Sequence, residues 1–210
     1  MGPSYRLLPV LSARRVHLSF APSSSMKPFL PTSLLLLAAA MINVGTSGHS
    51  QILRVDLPEM VQQTDGAVVG TIVSSETIRI DHPIDGPELY YTTLFVEGRS
   101  VVDGQATTIG VSFPGGFVDA ENGVYNSEAP ADNEIAIGNQ VVVFHKWSDN
   151  MGGDFASNGL FTSHGGIYTT FENRAGQTIV QGRGEGYAVQ SNTSLEKLEG
   201  RIRKIAAQAR

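Results

Sequence analysis

The sequence predicts a mostly β domain, a barrel or a two-sheet sandwich, that ends in one amphipathic helix. Three observations predict it. Short β-branched and aromatic runs are punctuated by Gly and Pro between residues 67 and 189, as in folds built from many short strands. Within that span Val141-Val142-Val143-Phe144 is continuously apolar, which suits a strand covered on both faces. From Leu195 the period changes, and Leu195, Leu198, Ile202, Ile205 and Ala209 recur at intervals of three and four, drawing one stripe of a helix.

Two segments precede the domain. From Met26, a basic residue (Lys27) is followed by an apolar stretch around Leu34 to Ile42 and then small residues up to Gly48. That order matches a secretory signal peptide, and its apolar part is about half the length of a bilayer span. Residues 26–48 are therefore expected to be a signal peptide cleaved near Gly48. The protein is expected to be exported, periplasmic or extracellular, with no stable membrane insertion after cleavage. Residues 1–25 carry Arg6, Arg14 and Arg15 and no acid. They read as an over-extended N-terminus ahead of a true start at Met26; a bipartite targeting presequence is the other reading. Residues 49–192 then form the β domain and residues 193–210 the helix.

Leu57 to Asp65 reads as a short helix or turn ending at Gly66. Ala67 to Val73 is apolar and β-branched, and Ser74 to Ile80 extends it. His82-Pro83 and Asp85-Gly86-Pro87 mark a turn, since Pro and Gly interrupt a ladder. Leu89 to Val96 is rich in Tyr, Thr and Phe, which suit a pleated, half-buried surface. Gln105 to Phe113 sets Ile109, Val111 and Phe113 on one face by alternation, and Pro114-Gly115-Gly116 stops it. Phe117 to Pro130 reads as a weak strand and a polar loop. After the apolar run, Ser148 to Gly159 is a loop rich in Gly, Asp and Asn. Ile167 to Phe171 and Thr178 to Val189 resume the β pattern around a turn at Ala175-Gly176.

The helix has its own marks. Thr193 and Glu196 have capping-box spacing, and Arg201, Arg203, Lys204 and Arg210 gather toward its negative end. Glu199 can pair with Arg203 one turn on. Gly200 weakens the helix by about 1 kcal/mol relative to Ala, so it needs a surface to lean on. The apolar stripe is expected to cap the barrel or cover a sheet edge; the competing use is a partner or a membrane surface.

Composition narrows the function. All 20 acidic residues lie beyond Gly48 and four of the 15 basic ones lie before it, leaving 11 against 20 and a net charge of −9. A β-rich body without a basic cluster is unsuited to coating nucleic acid, so no nucleic-acid partner is expected. The chain has no cysteine, which rules out disulfides, a thiolate nucleophile, a Cys-based zinc site and a lipid anchor on cysteine. Its hydrophobic core must hold it together.

The order of elements resembles a widespread group of exported, β-rich bacterial proteins of unassigned activity. The resemblance rests on Asp65-Gly66-Ala67-Val68-Val69-Gly70-Thr71-Ile72-Val73, the Tyr- and Thr-rich strand at Leu89 to Val96, Val111-Ser112-Phe113-Pro114-Gly115-Gly116, and Ile137-Gly138-Asn139-Gln140-Val141-Val142-Val143-Phe144. The same order is more loosely similar to netrin-like modules and tissue inhibitors of metalloproteinases. Their core is a barrel of the oligonucleotide/oligosaccharide-binding (OB) type flanked by helices. The resemblance implies an OB-like β-barrel with a C-terminal amphipathic helix, with the two-sheet sandwich as the alternative. It does not carry protease inhibition, because those inhibitors approach a catalytic zinc with an N-terminal cysteine that this chain lacks.

Catalytic patterns are sparse. There is no His-Glu-x-x-His and no Gly-x-Ser-x-Gly. Gly182-x-Gly184-x-Gly186 has Tyr187 where a dinucleotide fingerprint needs its third glycine, and reads as a bulge or a close backbone crossing. Ser163-His164 reads as a loop, since neighbours on a strand do not face each other. Asp149 to Asp154 is the best calcium candidate but lacks the alternating ligands of a calcium loop, and reads as a solvated turn. Asn192-Thr193-Ser194 fits a glycosylation sequon. No catalytic, cofactor-binding or metal residue is assigned, and no cofactor is expected. Tyr90 and Tyr91 must point to opposite faces of their strand, which leaves one expected to be exposed, and Trp147 stands where the apolar strand emerges into water. Tyr90, Tyr91 and Trp147 are the candidate ligand contacts. The expected function is an exported, non-catalytic binding or interaction module for a protein or carbohydrate. The alternative is a metal-assisted hydrolase with ligands from distant segments.

Overall fold

Alternating burial organises the chain. The computed structural model describes residues 55–209; residues 26–48, expected to be a signal peptide, and the segment 1–25 ahead of them lie outside the described residues. The order is α1 (Leu57–Gln63), β1 (Gly66–His82), β2 (Gly86–Ser100), β3 (Ala106–Pro114), β4 (Gly116–Phe117), β5 (Gly123–Val124), β6 (Gln140–Ser148) and β7 (Ser157–Leu160). A 3₁₀ turn (Ser163–Gly166) leads to β8 (Ile167–Glu172), β9 (Thr178–Val180), β10 (Thr193–Ser194) and α2 (Leu195–Gln208). The protein is mostly β, with a closed five-stranded barrel and a C-terminal helix.

The barrel runs β1-β2-β3-β7-β6 and closes where β6 returns to β1. Gly66 to Thr71 pair antiparallel with Gln140 to His145, and Val111 and Ser112 pair in parallel with Asn158 and Gly159. This closed circuit is the OB-like barrel, and it removes the sandwich alternative. β1 serves two neighbours because a register shift between Ile72 and Ser74 bends it. Its first half closes the barrel, and its second half continues with β2 as a hairpin arm. At the crossing Gly70 stands opposite Gly98, and a Cβ on either would strike the other strand's backbone. Only glycine fits there.

Burial follows the pleat. Val68, Ile72, Leu94, Val96, Val111, Phe113, Val141 and Val143 fill the barrel. Ala67, Val69, Val142 and Phe144 point outward and are covered by α1 and α2, with Met60, Leu198 and Ile202 among the residues on them. The apolar run at 141–144 is thus buried on both faces, as read. Fully burying one such Leu or Ile side chain contributes about 1.5–3 kcal/mol.

Two details differ from the sequence reading. The α2 cap is one residue later than expected, because the Ser194 hydroxyl, not that of Thr193, accepts the Lys197 N–H. The strand expected over 178–189 stops at Val180. Beyond it Gly182 crosses the Ser191 backbone too closely for a side chain, and Gly184 and Gly186 adopt positive φ. The chain turns there to bring β10 back beside β9.

Candidate ligand-binding groove

The arm formed by β1 and β2 positions the site. β2 pairs with β3 only from Tyr91 onward, so Gly86 to Tyr90 extend past the end of β3 alongside β1 alone. Alternation sends Thr77, Thr92 and Tyr90 to one face of the arm and Ile80, Leu89 and Tyr91 to the other. Each face receives a different cover.

On the Tyr91 face lies the loop between β6 and β7. The Tyr91 hydroxyl donates to the Met151 carbonyl at 2.7 Å, and its ring stacks at a tilt on Phe155 with centroids 5.1 Å apart. Burial, reinforced by the charge of Asp85, raises the Tyr91 pKa above its ordinary value. The loop is tied down beyond this contact. Gly153 N–H donates to the Asp85 carboxylate at 2.7 Å. His82 Nδ1 accepts the Asp85 N–H at 3.0 Å, which leaves Nε2 to donate to Asp154 at 3.2 Å.

On the Tyr90 face lies the β4–β5 hairpin. Pro114-Gly115-Gly116 turns the chain back over the arm, with Gly115 N–H donating to the Tyr90 carbonyl at 2.7 Å and Thr92 Oγ1 to the Gly115 carbonyl at 2.8 Å. Gly116 has φ +119°, and a Cβ there would collide with Thr92 and Thr77. The hairpin tip is set by Asp119, whose carboxylate accepts from the Glu121 and Asn122 backbone amides and the Asn122 side chain. Those donors, the Asn122 side chain foremost, lower its pKa.

Between the arm and the hairpin is a groove of about 330 Å³, bounded by Leu89, Tyr90, Gly115, Val124, Tyr125 and Ser127. Tyr90 and Tyr91 are both buried, each 5% exposed. The exposed member expected of that pair does not exist, because each face of the arm has its own cover. Tyr125, in contrast, is 83% exposed, and Phe117, Val118 and Val124 are exposed on the same hairpin. Sequence reasoning missed these residues. The signal was present as the five residues Asp119 to Gly123, largely polar and ending in Gly, between Phe117-Val118 and Val124-Tyr125, which suit a longer hairpin loop. Trp147 is half exposed at the end of β6, its indole N–H on Asp149 at 2.8 Å, and it does not line the groove.

The other candidates are held in structural roles. His164 is fixed between the Glu128 carbonyl and the Tyr187 hydroxyl, both at 3.0 Å, and Ser163 is not its partner. In the 149–154 loop the Asp149 and Asp154 carboxylates face different protein donors. Among the described residues no group of three His, Asp or Glu gathers in a way that could hold a metal ion. No protein-family model, curated protein or solved structure matches the chain.

Proposed function

We propose that the chain is an exported, non-catalytic binding module that holds a carbohydrate in the groove between the arm and the β4–β5 hairpin. One observation carries this reading: Tyr125, 83% exposed, stands on the rim of a groove whose wall includes the buried ring of Tyr90. A flat, amphipathic ring in water beside a concavity suits stacking on the apolar face of a sugar. The volume is at the small end of the range for ligand pockets. The rim also carries Glu88 and Ser127, which offer a carboxylate and a hydroxyl to sugar hydroxyls. Export rests on the signal peptide read at residues 26–48 and places the module in the periplasm or outside the cell.

Titration calorimetry with oligosaccharides and with extended peptides tests the reading. Tyr125→Ala should leave the melting temperature unchanged and weaken saccharide binding at least tenfold. Saturation by peptides alone, or full binding by Tyr125→Ala, would overturn it.

A further inference from the structure

We propose that the sugar held in the groove is a polymer of amino sugars with free, charged amines, and that Glu88 selects it. This rests on the carbohydrate reading above and adds the charge class of the ligand. Among the described residues lining the groove, Glu88 carries the one carboxylate, and there is no Lys, Arg or His. Its backbone sits at φ +62°, in the left-handed region that residues other than glycine seldom occupy. The register between β1 and β2 shifts there, so that Pro87 and Glu88 of β2 stand against Asp81 alone. The Asp81 carboxylate holds this bulge by accepting the Glu88 N–H at 2.9 Å. A strained residue pinned at the edge of a concavity is a group kept in position for a ligand.

Arg79 does not cancel the charge, because it is shared. Its Nε and Nη2 donate to Asp81 at 3.2 and 3.1 Å, and its Nη1 lies 3.5 Å from Glu88 Oε1. Two carboxylates thus divide one guanidinium, which leaves one negative charge. The Glu88 side chain is 61% exposed, so a ligand reaches it. Each class of sugar meets this carboxylate differently. An acidic or sulfated sugar sets like charges side by side, which costs affinity. A neutral sugar offers a hydroxyl and one ordinary hydrogen bond. A protonated amine offers a charge-assisted bond, about twice as strong, while the Tyr125 ring covers the ring carbons in every case. The rest of the domain favours the same ligand. Residues 49–192 carry six basic and 18 acidic residues, a field that draws in a polycation.

Calorimetry at about pH 6, between the carboxylate and amine ranges, compares tetramers of glucosamine, N-acetylglucosamine and glucose with the same linkage. At about 0.01 M salt the glucosamine tetramer should bind about two- to fivefold tighter than the glucose tetramer. The preference should vanish at about 1 M salt, where the screening length is about 3 Å. It should also vanish in Glu88→Gln, which keeps the shape of the side chain and should bind the glucose tetramer as wild type does. Glu88→Gly, whose backbone suits φ +62°, should lose the preference too, and it decides the matter if the glutamine variant melts early. Tyr125→Ala, in contrast, should weaken all three tetramers. Three results would overturn the proposal and leave the carbohydrate reading standing: neutral tetramers bound through Tyr125 with no preference for glucosamine, a preference that survives high salt or both Glu88 variants, or tetralysine bound as tightly as the glucosamine tetramer while the sugars still bind. Binding of no saccharide, or full binding by Tyr125→Ala, would remove the carbohydrate reading and this inference with it.

Discussion

Glu199 shows how much depends on which partner of an ion pair is buried. Its side chain is 8% exposed and that of Arg99 is 41% exposed. If Arg99 loses its partner it rehydrates, but Glu199 without Arg99 is a carboxylate held away from water with only the more distant Arg203. Arg99→Ala is therefore expected to destabilise by about 2 kcal/mol and Glu199→Gln by about 1 kcal/mol in urea unfolding; equal losses would show that the carboxylate is not stranded. His145 presents the opposite problem. Its Nδ1 is buried without a hydrogen-bond partner, and burial lowers its pKa below 6.5, offset in part by Asp65 and Asn158. A depressed histidine favours the neutral form in the fold, so the stability it contributes is present above pH 6.5 and is lost as pH falls through the folded pKa. His145→Asn should flatten the stability–pH curve in that acidic window. An unchanged slope would place the acid sensitivity elsewhere. Tyr91 and Tyr168 act at the other extreme. Burial raises both above their ordinary value of 10.0, so their contribution is intact below pH 10 and is lost as pH climbs through the raised values.

At the scale of elements, the turn at Pro114-Gly115-Gly116 decides whether the groove exists. Gly116→Ala must place a methyl group against Thr92 and Thr77 and hold an alanine at φ +119°. It is expected to cost about 2–3 kcal/mol and to loosen the hairpin, read as faster amide exchange at Val118 and Val124. Protection equal to wild type would show that the hairpin is held from elsewhere. The sequence marked this turn, because Pro-Gly-Gly punctuates any strand. What the turn does was not legible, since the site depends on which segment covers which face of the arm. Tyr90 and Tyr91 make the point. Their opposite directions were readable from the pleat, but their common burial was not, because two segments distant in sequence cover them. The strand β7 was equally hidden. Ser157-Asn158-Gly159-Leu160 has no β pattern, and it pairs with β3 only because the barrel brings the two edges together. The α2 stripe was legible from Leu195 to Ile205, since periodicity is a local property; Ala209, its last expected member, caps the helix and is exposed.

For the whole molecule the governing fact is that two apolar layers share the same strands. β1 sends Val68 into the barrel and Val69 to the helices; β6 sends Val141 and Val143 inward and Val142 and Phe144 outward. Neither layer can be lost without exposing the backs of strands that build the other, and no disulfide holds either one. Thermal unfolding of the domain should therefore be a single transition with equal calorimetric and van't Hoff enthalpies. Removing residues 193–210 takes Leu198 and Ile202 off the outer layer, and it should abolish that cooperativity rather than merely lower the midpoint. Leu198→Ala, which leaves a cavity but keeps the layer, should retain one transition and lose about 2–5 kcal/mol. A truncated chain that still unfolds sharply would mean that the barrel interior, with its own aliphatic filling, is sufficient alone. The helix would then be an appendage to the fold.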